Sequence, residues 1–109
     1  MTRAEVYTML NNTGIPTVYH HFREGTGKQP PFVCFYYPND DDFKADDTHY
    51  VKVNALTVEL YTDEKDFGKE STVETALLNA GLVFRKNEVY IDTEKMFMVT
   101  YETEVIIDG

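Results

Sequence analysis

A single cysteine in 109 residues leaves no internal disulfide to form, which suits a reducing compartment. Cys34 lies inside an apolar run with no basic residue near it, so nothing lowers its thiol pKa and it reads as core. Basic residues are scarce: ten Lys and Arg stand against nineteen Asp and Glu, for a net charge of −9. Phosphate backbones and anionic membrane surfaces are bound mainly through Lys and Arg, so this balance argues against specific nucleic-acid binding and against polybasic membrane attachment. No apolar run approaches the roughly 18 residues that a membrane-spanning helix needs. Residues 1–20 lack the basic, apolar and small-residue order of a secretory leader, so the expectation is a soluble chain made in the cytoplasm.

Signatures of catalysis and ligand binding are equally thin. His20 and His21 are adjacent, so on a strand they point to opposite faces, and His49 could only approach one of them across a sheet. Asp40, Asp41, Asp42, Asp46 and Asp47 offer oxygen ligands that calcium would accept, but without EF-hand alternation or its turn glycine; they read as a solvated or protein-contacting loop. Gly25-Thr-Gly-Lys28 lacks the Walker spacing, and Pro30 and Pro31 stand where a helix would have to begin. The expectation is therefore a chain without catalytic residues, metal or cofactor.

What is present is enough for one core. Hydrophobic residues make up 42% of the chain, with eight Tyr and seven Phe, and the length suits one domain, 1–109. Thr2 and Glu5 have the spacing of a capping box, Val6, Met9 and Leu10 follow at helical intervals, and Gly14 and Pro16 stop the run; a helix is predicted over residues 3–12. Thr17–Phe22 reads as a strand and Phe32–Tyr37 as a strand buried on both faces. In His49–Thr62, Val51, Val53 and Ala55 alternate on one phase and Leu56, Val58 and Leu60 on the other, which predicts a bulge near Ala55. Asp66 caps a second helix that ends near Ala80, with Val73, Leu77 and Ala80 on one face and Gly81 as its stop. Val83–Tyr90 and Met96–Ile107 form two strands joined by a turn at Asp92–Lys95. In the last strand Phe97, Val99, Tyr101, Val105 and Ile107 share a phase, and Met96, Phe97 and Val99 are expected in the core rather than at an interface. The order α-β-β-β-α-β-β, with consecutive strands pairing antiparallel, gives an α+β domain with an antiparallel or mixed sheet.

Two loops are long for so small a domain, at about 23–31 and 38–48. One carries Arg23 and Lys28; the other holds five Asp and one Lys. A protomer with one basic and one acidic projection complements its own copy head to tail, and such contacts close into rings.

Tyr50-Val-Lys-Val-Asn-Ala-Leu-Thr-Val-Glu-Leu-Tyr-Thr-Asp-Glu-Lys-Asp66, Glu74-Thr-Ala-Leu-Leu-Asn-Ala-Gly81 and Tyr90-Ile-Asp-Thr-Glu-Lys-Met-Phe-Met-Val-Thr-Tyr-Glu-Thr-Glu-Val105 resemble the central strand, following helix and final hairpin of tail-terminator (tail-to-head joining, or tail-completion) proteins of long-tailed phages of Gram-positive bacteria. The aromatic strand Phe32–Tyr37 with an Asp-rich loop after it is similar too, whereas Thr2–Phe22 matches only in character. The resemblance implies an α-β-β-β-α-β-β domain forming a ring, generally of six copies, on the last ring of the tail tube. That ring stops tube polymerisation and offers a surface to the head connector. The implied partners are the chain itself, the tail-tube protein and a head-completion protein, with DNA passing through the ring unread. The implied location is the host cytoplasm and then the head–tail junction of the virion. The group has no residue-by-residue contact motif, so Arg23, Lys28, Asp40, Asp41, Asp42, Asp46 and Asp47 are candidate assembly contacts, the aspartates lining a rim or lumen where acidic walls repel DNA. Two alternatives stay open: a head-closure or connector protein, and a small binding or regulatory domain unrelated to virions.

Overall fold

A computed structural model describes residues 1–20, 29–38 and 52–108. The elements run α1 (Arg3–Asn11), β1 (Thr17–Tyr19), β2 (Phe32–Tyr36), β3 (Lys52–Thr62), α2 (Phe67–Asn79), β4 (Phe84–Ile91) and β5 (Met96–Ile107). This is the α-β-β-β-α-β-β order of an α+β domain. The five strands form one mixed sheet in the order β1-β2-β3-β5-β4.

Local chemistry sets the helix ends. The Thr2 hydroxyl accepts from the Glu5 backbone N–H and the Glu5 carboxylate from the Thr2 N–H, so the capping box satisfies two otherwise orphan donors of α1. Asp66 caps α2 by accepting from the Lys69 N–H at 3.0 Å, and that bond holds its carboxyl below the ordinary range. Gly81, at φ +81°, turns the chain out of α2 in a left-handed conformation.

Both helices cover the same face of the sheet. Val6 and Leu10 of α1 and Val73 and Leu77 of α2 join one cluster with Val33 and Phe35 of β2, Leu56, Val58 and Leu60 of β3, and Val99, Tyr101, Val105 and Ile107 of β5. Leu10, Leu56, Leu60, Leu77 and Tyr101 are almost completely buried, and each such large side chain contributes about 1.5–3 kcal/mol. β2 is buried on both faces from Phe32 to Phe35, as its continuous apolar run predicts.

Three expectations are corrected. β3 carries no bulge: its register with β5 is unbroken from Lys52↔Ile107 to Thr62↔Phe97. Leu56, Val58 and Leu60 face the helices, so Val53 lies on the opposite face, 61% exposed, and Asn54 takes the helix-side position. The apolar phase changes because β3 has apolar residues on both faces, not because the backbone slips. β1 is shorter than expected and pairs with β2 in parallel, Thr17↔Val33 to Tyr19↔Phe35; it stops where His20 adopts φ +78°. His20 therefore does not belong to a strand, and the rest of the expected strand falls outside the described residues. In β5 Val99 is buried and Phe97 half-buried on the helix side, but Met96 pairs with Ile91 on the opposite face.

Candidate functional site

All the candidate contacts read from the sequence, Arg23, Lys28, Asp40, Asp41, Asp42, Asp46 and Asp47, lie outside the described residues, as do His21 and His49. The described backbone nevertheless fixes where their segments leave the sheet. β1 runs parallel to β2, and the His20 N–H donates to the Phe35 carbonyl at 2.6 Å, so the chain departs from β1 beside the C-terminal end of β2. It departs from β2 at that same end, after Pro38, and re-enters at the N-terminus of β3, which lies there because β3 is antiparallel to β2. Both long connections thus begin at one end of the sheet. The C-terminus of β5 is there as well: the Met1 ammonium donates to the Ile106 carbonyl at 2.9 Å and pairs with Asp108 at 3.1 Å.

Aromatic side chains gather at this end. On the helix side, Tyr19 packs edge-on against Phe35 at 5.4 Å and lies 6.0 Å from Tyr37, and Tyr7 of α1 is 6.1 Å from Phe35. The Arg3 guanidinium sits over the Tyr37 ring at 5.1 Å. Arg3, Ala4, Tyr7, Tyr19, Phe35 and Tyr37 line a shallow groove whose walls are mostly apolar. Tyr7 and Tyr19 are each more than two-fifths exposed, so the rings present a wettable edge and an apolar body, the combination favoured at protein interfaces.

The face of the sheet away from the helices carries a second constellation. Cys34 and Glu59 are register partners there, flanked by Phe32, Tyr36 and Tyr61. Tyr36 donates to Glu59 Oε2 at 3.0 Å and Tyr61 to Glu59 Oε1 at 2.7 Å, and Phe32 stacks on Tyr61 at 4.7 Å. Burial and the neighbouring Glu59 carboxylate push both phenols up, so they stay protonated donors at neutral pH. His20 stacks on Tyr36 at 6.0 Å, which joins this cluster to the end where the long connections begin. Farther along the same face, Glu102 and Glu104 of β5 are exposed and Arg85 of β4 is opposite Glu102. Acids therefore outnumber bases along this face: Glu59, Glu102 and Glu104 against Arg85. This arrangement offers stacking faces, hydrogen-bonding groups and negative charge. Among the described residues, no group of three or more His, Cys, Asp or Glu is placed to hold a metal ion, and no helix is long and apolar enough to cross a membrane.

A third cluster ties α2 to β4. Glu70 is only 3% exposed, yet its carboxylate meets the Lys65 ammonium at 2.6 Å and the Lys86 ammonium at 2.9 Å. Lys86 also reaches Glu74 at 2.7 Å, Tyr101 donates to Glu74 at 2.9 Å, and Lys65 pairs with Glu88. Burial pushes the Glu70 carboxyl up, but the two ammonium groups outweigh it and hold the carboxyl below its usual value. The same contacts raise Lys65 and Lys86.

The aromatic end and the Tyr36–Glu59–Tyr61 cluster were not singled out from the sequence. Glu59 and Tyr61 do share a strand phase, but Tyr36 joins them only through the β2–β3 register, and Tyr19 reaches Phe35 only through a parallel pairing that short-range patterns do not encode. Comparison with known proteins gives no matching family model and no matching curated protein.

Proposed function

We propose that this chain is a structural virion protein that assembles as a ring on the end of a phage tail tube, halts tube growth and offers the docking surface for the head connector. The observation that carries this reading is the element order. The tail-terminator resemblance implies α-β-β-β-α-β-β, and that is the order of the folded chain. Two further features support it. Both long connections begin at one end of the sheet beside exposed tyrosines, and exposed aromatic edges of this kind suit contact with a neighbouring protomer or the tube. The face away from the helices is acidic, and an acidic wall repels DNA during passage.

The mechanism is binding without turnover. A protomer docks on the last tube ring by shape and charge, and its far side lacks the tube's own polymerising surface. Six copies, tail-tube protein below and head-completion protein above are the partners in this proposal, with assembly in the host cytoplasm and residence at the head–tail junction.

The test is negative-stain microscopy of particles made when the gene carries an early stop codon. Overlong, headless tails beside filled heads are expected. Tails of normal length beside emptied heads would move the protein to head closure, and intact particles would remove it from the virion.

A further inference from the structure

β4 is an outer strand: β5 pairs with one of its flanks, and no described strand pairs with the other. None of its eight residues is proline, so each carries a backbone N–H and the open flank is a row of donors and acceptors that can template another strand. Exposed apolar side chains concentrate there: Val83, just before the strand, is 82% exposed, Val89 42% and Tyr90 46%. Along β4 the charges are segregated in an order that matters for pairing, Arg85 and Lys86 before the centre and Glu88 after it.

We propose that this edge docks a second copy of the chain, β4 against β4, antiparallel about a two-fold axis perpendicular to the sheet, so that two five-stranded sheets become one. Cross-strand partners in such a sheet share a face, which requires the axis to pass through a residue rather than between two. Three central registers satisfy that condition. Centring on Lys86 sets it against its own copy, and centring on Glu88 does the same for the carboxylates; like charges directly opposite are repulsive. Centring on Asn87 sets Lys86 against the second copy's Glu88, twice, and Phe84 against the second copy's Tyr90, twice, all on the helix-bearing face. On the other face Arg85 meets Val89 and Val83 meets Ile91. Val83, Val89 and Tyr90 each gain a neighbour in this register. Centring on Lys86 would set Val83 against Val89, but only with the two Lys86 ammonium groups directly opposite each other, so charge decides between the two. Lys86 and Glu88 each keep 39% side-chain exposure within their own ion pairs, so both can reach across. Charges that usually guard an edge strand against pairing here select one register among three.

The contact is isologous and closes at two copies, so it differs from the head-to-tail contacts of a ring and does not depend on the function proposed above. The test uses the full chain with single cysteines introduced by Lys86→Cys, Asn87→Cys, Glu88→Cys and, as a control on the exposed side of α2, Thr75→Cys, each treated with a short thiol-to-thiol cross-linker. Asn87→Cys is expected to form cross-linked dimers at least about tenfold faster than the other three, since only position 87 lies opposite itself. The unaltered chain is expected to sediment as a dimer that dissociates on dilution and in high salt. Cross-linking of Asn87→Cys no faster than Thr75→Cys, or a monomer at millimolar concentration, overturns the proposal. Fastest cross-linking at position 86 or 88 overturns the register centred on Asn87.

Discussion

Glu70 is the residue on which the junction of α2 with β4 turns, because one buried carboxylate answers two ammonium groups from different elements. Removing it leaves Lys65 without one partner and Lys86 with Glu74 alone, so Glu70→Gln is expected to lower stability at pH 7 by about 2 kcal/mol. The sign of the pH effect follows from the directions of the shifts. The folded carboxyl lies below its ordinary 4.5, so its contribution is present above about pH 4.5 and is lost as pH falls through the lower folded value. Lys65 and Lys86 are raised above 10.5, so theirs is present below that value and lost as pH rises through the folded one. Urea unfolding at pH 7 and in acid checks this: the gap between the parent and the Glu70→Gln variant should narrow in acid, and an equal gap at both would refute the assignment. None of this was legible in the sequence. Helical period puts Glu70 on the same face as Val73 and Leu77, but its partners, Lys65 five positions before it and Lys86 sixteen after it, are brought to it only by the folded chain.

At the scale of elements, the most readable features were those decided within a few residues. The capping box of α1, the Asp66 cap and glycine stop of α2, the two-face burial of β2 and the turn between β4 and β5 all rest on neighbours in the chain. Gly81 illustrates the principle. At φ +81° an added Cβ would meet no atom within 4 Å, so Gly81→Ala costs conformational energy alone, an expected loss of about 1 kcal/mol. Thermal or urea unfolding measures it, and unchanged stability would show that the α2 terminus relaxes freely. The misleading element was β3, where the change of apolar phase between Ala55 and Leu56 looked like a bulge. Alternation cannot say which phase faces the helices when both phases are apolar; only the unbroken ladder to β5 decides. The parallel pairing of β1 was hidden for a related reason, since it joins strands whose connection is long and whose order in the sheet is not written in local pattern.

For the whole molecule, the fold class was legible and the assembly surface only in outline. Carboxylates are seldom buried without a partner, so replacing Asp40, Asp41, Asp42, Asp46 and Asp47 by Asn is expected to leave the unfolding midpoint essentially unchanged while altering ring or tube assembly. Circular dichroism melts with particle imaging separate the two effects; normal particles would place the assembly contacts elsewhere. The aromatic end and the β4 edge emerged only once strands distant in sequence were set side by side. The order β1-β2-β3-β5-β4 also bears on how the chain is made. β5, which follows both in the chain, lies between β3 and β4 and joins them, since neither has a described ladder to the other. On the ribosome, β3 therefore emerges with one flank open and waits for some forty further residues before its longest pairing can close, a delay in which a nascent chain is most exposed to chaperones and to misjoining with other nascent copies.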